Sequence, residues 1–77
     1  MAMRAKYIGE TFYVDGLSAN QIYEVVGYED GLLRVIDDSG EDYLYSATNP
    51  GPYDGSVPNG RWEVVEDEDG KLEKWVK

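Results

Sequence analysis

Carboxylates are the most abundant chemistry-bearing groups in this chain, and they come in pairs. Asp37-Asp38 and Glu41-Asp42 bracket a turn signal at Ser39-Gly40, while Glu66-Asp67-Glu68-Asp69 runs into Gly70. General acid–base catalysis would need one such carboxyl held in a water-poor cleft beside a partner. Carboxylates on turns are expected to be solvated, so their placement favours turn formation and a charged surface. Asp37-x-Ser39-x-Glu41 sets oxygens at alternating positions, a fragment of a calcium loop. The rest of that pattern, Asp-x-Asp-x-Asp-Gly with a distant Glu, is absent, and no dedicated metal site is expected.

Nucleophilic chemistry lacks its usual parts. The chain contains no Cys and no His. That excludes a disulfide, removes the common zinc and iron ligands, and leaves a nucleophile only an unusual Ser-Lys or Thr pairing. Ser18, Ser39, Ser46 and Ser56 all fall in turns or at a strand end, where serine normally bonds its own backbone. The glycines form no phosphate-cradling pattern that leads into a helix. The expectation is a chain that is not an enzyme and carries no cofactor.

Aromatic residues are the most suggestive set. Seven Tyr, two Trp and one Phe in 77 residues supply large buried areas to a chain near the lower size limit for one hydrophobic core. Tyr43 and Tyr45 share one face of a strand, whereas Tyr13, Tyr28 and Tyr53 fall at loops or strand ends. Tyrosine on a rigid scaffold offers apolar contact area at low entropy cost. Phe12, Tyr13, Tyr53 and Trp75 are therefore the candidate protein-binding residues. The competing reading is that most of these rings complete the core and direct their hydroxyls to water.

Charge narrows the partners. Residues 35–70 carry one Arg against ten acids, and the whole chain has a net charge of −9. Such a surface repels phosphate backbones and anionic lipid, so direct nucleic-acid and membrane binding are disfavoured and a basic protein partner is favoured. A second reading is an acidic decoy that imitates nucleic acid, which requires the carboxylates of 37–42 and 66–69 to form one stripe. The basic residues near the N-terminus are followed by no apolar core of a signal peptide, and no apolar run approaches the roughly 20 residues of a membrane span. A soluble cytoplasmic protein is expected, as a monomer or weak homodimer.

The elements that would position these residues are short strands between turn signals. Arg4 to Ile8 alternates, with Ala5 and Tyr7 on one face. Residues 10–21 read as a long, partly extended loop. Ile22 to Glu29 is the clearest strand, with Gly27 marking a bulge or bend. Asp30-Gly31 turns the chain into Leu32 to Asp37, and Asp37 to Gly40 turns it again into Glu41 to Ser46, giving a three-stranded meander. Residues 47–60 contain all three prolines with Gly51, Gly55 and Gly60, which excludes a helix or a central strand. Arg61 to Glu66 is the last strand, with Trp62 and Val64 on one face. In the tail, Leu72, Trp75 and Val76 have helical spacing. The segment is too short for an autonomous helix, and a short extra strand along residues 61–66 is the favoured expectation.

This layout resembles an SH3-like barrel of about five strands, an all-β fold. The block Tyr23-Glu24-Val25 through Val35-Ile36-Asp37-Asp38-Ser39-Gly40-Glu41-Asp42-Tyr43-Leu44-Tyr45, closing with Trp62-Glu63-Val64-Val65, resembles a family of short uncharacterised bacterial proteins with that fold. The resemblance covers roughly residues 4–66. It implies a barrel over residues 1–66, followed by an acidic turn and amphipathic extension over 67–77, and it implies no activity. The peptide-binding SH3 domains are a weaker resemblance. Phe12, Tyr13 and Asp15 in the long loop and Pro52-Tyr53 before the last strand match their groove, but Leu32 and Leu33 stand where a Trp is expected. The function that follows is a non-enzymatic module that binds another protein, or itself, through loop aromatics.

Overall fold

The computed structural model describes residues 3–77. Each strand follows from alternation between a core-facing and an outward-facing side chain. β1 (Met3–Ile8) buries Ala5 and Tyr7, and β2 (Ile22–Glu29) buries Tyr23 and Val25. β3 (Leu32–Ile36) buries Leu33 and Val35, while β4 (Asp42–Ser46) keeps its side chains half-buried or exposed. β5 (Arg61–Asp67) buries Trp62. The described residues are all-β apart from one short helix, α1 (Lys71–Trp75).

All five strands are antiparallel and form one sheet in the order β4-β3-β2-β1-β5. β2 serves two neighbours in succession. Ile22, Tyr23 and Glu24 pair with β1, and the strand from Val25 onward pairs with β3. The β2–β3 register shifts between Val25 and Gly27, the bulge foreseen at Gly27, and a bulge bends its strand. Asp30 (φ 48°) and Gly31 (φ 84°) make the two-residue turn between Glu29 and Leu32, both in the left-handed region that such a hairpin demands.

Among the described residues no ladder joins β4 to β5, so the sheet stays open. The core lies inside its curvature. Tyr7, Leu17, Leu33, Val35 and Leu72 are fully buried there. The Tyr7 ring meets Phe12 and Trp62 edge-on, at centroid distances of 5.7 and 5.9 Å. Buried aromatics in such pairs supply the efficient packing that a chain without disulfides needs.

The tail departs from expectation. Residues 71–75 form one helical turn instead of a strand. The Asp67 carboxylate accepts the N–H groups of Leu72 (3.1 Å) and Glu73 (2.9 Å), satisfying two donors that a helix start leaves open. Leu72 then enters the core, and Trp75 stacks on Tyr28 with ring centroids 5.1 Å apart and planes at 9°. Tertiary contacts stabilise a helix that could not persist alone.

Candidate functional site

The loop from Gly9 to Gln21 is a small hairpin of its own. Phe12 bridges Leu17, with the Phe12 N–H donating to the Leu17 carbonyl at 3.1 Å. Phe12 is 4% exposed and packs against Tyr7 and Tyr45. It is therefore a core residue and not a contact residue. Its neighbour Tyr13 turns outward with φ 60° and is half-exposed. The left-handed region is common for Asn or Asp but unusual for a bulky side chain, and such strain concentrates at functional positions.

Tyr13 is held from two sides. Its ring packs edge-on against Phe12 at 4.9 Å, and its hydroxyl accepts the Tyr53 N–H at 3.0 Å. That bond joins the first long loop to the Pro/Gly loop, 40 residues away in sequence. The Pro/Gly loop is itself folded back at its base, where the Gly60 N–H donates to the Pro50 carbonyl at 2.7 Å. Gly60 sits so close to the Ile8 carbonyl and the Tyr7 ring that no side chain fits there. The Tyr53 ring is left 98% exposed.

The two loops form one wall of a groove of about 1080 Å³. Tyr13, Asp15, Pro52 and Tyr53 contribute from the loops, and Arg34, Asp42, Tyr43 and Leu44 from the strands. Asp37, Ser39 and Tyr45 also line the groove and belong to a hydrogen-bonded cluster that extends behind them. Asp37, 7% exposed, accepts bonds from the Tyr45 hydroxyl (2.6 Å) and from the N–H and hydroxyl of Ser39. Asp38 accepts the Tyr23 hydroxyl (2.9 Å) and the Ser18 hydroxyl (2.7 Å). Burial, then the Asp37 carboxylate, pushes the Tyr45 phenol far above its ordinary range. Burial also raises Tyr23, partly offset by the Ser18 N–H and reinforced by Asp38. Asp37 thus corrects the expectation that every turn carboxylate is solvated: its oxygens are occupied by donors of its own chain.

Of the four aromatic candidates, the structure brings Tyr13 and Tyr53 together. Phe12 lies beneath them in the core, and Trp75 stacks on Tyr28 away from the groove. The Pro52-Tyr53 pair was legible as part of a groove, whereas Tyr43 and Leu44 were missed as parts of the same surface. The edge position of β4 could be found only from the strand order.

The two acidic turns are tied to different parts of the sheet. Asp38 bonds Tyr23 at the start of β2, whereas the helix that follows residues 66–69 stacks on Tyr28 near its end. Arg4 pairs with Glu66 at 2.8 Å, and Arg34 pairs with Glu29 at 2.6 Å and Asp42 at 3.5 Å. Among the described residues no three acidic side chains converge as a metal site would require, and no helix is long and apolar enough to cross a membrane.

No protein-family model matches the chain, and neither a curated protein nor a solved structure matches it.

Proposed function

We propose that this chain is a small, non-enzymatic protein-interaction module that presents a tyrosine-walled groove on an SH3-like five-stranded scaffold. The strand order β4-β3-β2-β1-β5, with a meander and a bent second strand, supports the scaffold reading. The lack of His and Cys supports the non-enzymatic one.

One observation carries the reading: the Tyr13 hydroxyl accepts the Tyr53 backbone N–H, so two long loops are fastened together with the Tyr13 ring half-exposed and the Tyr53 ring exposed. Long loops in a domain this small are otherwise a liability, and a strained Tyr13 backbone needs an offsetting role. Tyr13, held by Phe12 and by its bond to the Tyr53 backbone, is preorganised and loses little entropy when a partner docks. The test is selection from a phage-displayed random dodecapeptide library on the immobilised chain, repeated on Tyr53→Ala. The Tyr53 ring contributes almost nothing to the core, so the variant stays folded. Peptides that bind the chain and are lost on the variant are expected; a library that yields none dependent on Tyr53 would sink the reading.

A further inference from the structure

We infer that the groove takes an extended, basic peptide that adds as a sixth strand to the free edge of β4. The inference rests on the groove reading above and names the kind of partner and how it pairs.

The ladder phase shows which backbone groups are available. Glu29 and Leu32 close the two-residue hairpin, so Leu32 bonds toward β2, Leu33 toward β4, Arg34 toward β2 and Val35 toward β4. Their partners Tyr45 and Tyr43 therefore spend their N–H and C=O groups on β3. The Ala47 N–H bond to the Gly31 carbonyl and the Asp37 N–H bond to the Glu41 carbonyl continue the same phase at both ends. Asp42, Leu44 and Ser46 must then point their backbone groups the other way. The Ser46 carbonyl confirms it, accepting the Trp62 indole N–H at 2.8 Å on that side. The outward N–H and C=O of Asp42 and Leu44 have no partner among the described residues.

Asp42 and Leu44, which carry those groups, line the groove together with Tyr13 and Tyr53. An exposed edge is a template for strand addition, in which main-chain bonds give affinity and alternate side chains give specificity. Electrostatics select the occupant. Asp15 and Asp42 line the groove, Glu41 precedes β4, and Arg34, the one cation among the described residues that line it, is already engaged by Glu29 and Asp42. A Lys- or Arg-bearing strand gains from this arrangement. A second copy would instead bring a net charge of −9 against −9, and like charge opposes association.

The peptide selection described above reads this out on the full chain. Selected sequences are expected to alternate Lys or Arg with β-branched or aromatic residues and to lack proline. Adding a selected peptide to isotopically labelled protein should slow amide exchange at Asp42 and Leu44 by at least about tenfold. Leu44→Pro removes the outward N–H without touching the ladder to β3, and it should weaken binding about tenfold, the value of one lost hydrogen bond. If Leu44→Pro impairs folding, Asp42→Lys, a surface change, should weaken the same peptide by a similar factor. Proline-rich selected peptides, or an unprotected Leu44 amide in the complex, would overturn strand addition and leave the groove reading standing. Peptides that bind Tyr53→Ala equally well would remove the groove itself. A dimer in sedimentation that protects Leu44 without any peptide would replace the basic occupant with a second copy.

Discussion

The indole N–H of Trp62 donates to the carbonyl of Ser46 at 2.8 Å, joining β5 to β4 across the gap where the sheet fails to close. Trp62 is 6% exposed and packs edge-on against both Tyr7 and Tyr23. One side chain therefore serves the core and fastens the two edge strands. Trp62→Phe keeps a ring but deletes the donor and leaves a cavity beside Tyr23. A loss of about 2–4 kcal/mol is expected from the missing bond and the cavity together, measured as a lower urea midpoint. A loss below about 1 kcal/mol would mean that the strap carries no tension.

Gly60 and Gly31 separate two reasons for glycine. A Cβ on Gly60 would fall on the Ile8 carbonyl, the Tyr7 ring and the Gly9 backbone, while a Cβ on Gly31 meets nothing and the residue is glycine because φ is 84°. Gly31→Ala should cost about 1 kcal/mol, the usual left-handed penalty. Gly60→Ala should cost about 1–3 kcal/mol through displaced backbone and should also disturb the adjacent loop. Thermal melts decide the ranking, and equal costs would refute the steric account of Gly60.

Asp37 and Tyr45 form a part-buried polar contact, and a double-mutant cycle should show it. Tyr45→Phe removes one bond; Asp37→Ala leaves both the Tyr45 hydroxyl and the Ser39 N–H without their acceptor. Unsatisfied buried groups cost about 1–3 kcal/mol each. The pair is therefore expected to be coupled by about 1–2 kcal/mol in urea unfolding, and strict additivity would argue that Asp37 acts only through the turn.

These tests bear on how much the sequence made legible. Ile22 to Glu29 and its Gly27 bulge were readable because alternation and the Asp30-Gly31 turn are local. So was the meander through β4. The meeting of Tyr13 with Tyr53 was not, since it joins loops 40 residues apart and depends on how each loop folds back. Asp37 looked like any turn carboxylate because its burial comes from Tyr45, eight residues on and in the next strand. Phe12 and Tyr13 are adjacent and both aromatic, yet a single bridge to Leu17 sends one inward and the other out. In the tail, the Leu72, Trp75 and Val76 pattern fitted a helical turn as well as a strand. The reach of Asp67 to two N–H groups decided it.

Asp67 gives that tail a direct test. Asp67→Ala removes the acceptor for Leu72 and Glu73 and should destabilise α1 by about 1 kcal/mol, as loss of a helix-start acceptor does. The Leu72 amide should exchange faster, and the Trp75 stack on Tyr28 should loosen, while β3 and β4 keep their protection. Uniform loss of protection across the sheet would show that α1 is integral to the cooperative core.

Alkaline pH should unfold the chain through three tyrosines. Burial, with the Glu10 charge adding, raises Tyr7; burial leads for Tyr23 and Tyr45 as well, with Asp38 and Asp37 reinforcing it. An unfolded tyrosine ionises near pH 10. Above that point the unfolded chain releases protons that the folded chain retains, so the unfolded state binds fewer and stability must fall as pH rises. Below it, both states hold the protons and these residues make stability independent of pH. Each retained proton steepens the fall by up to about 1.4 kcal/mol per pH unit. Urea midpoints should therefore hold steady from about pH 8 to about pH 10 and drop beyond, with the late tyrosinate absorbance appearing together with unfolding. Tyr45→Phe should make that fall shallower by one proton's share. A slope that Tyr45→Phe leaves unchanged would mean that the Tyr45 phenol ionises as readily in the folded protein as in the unfolded chain.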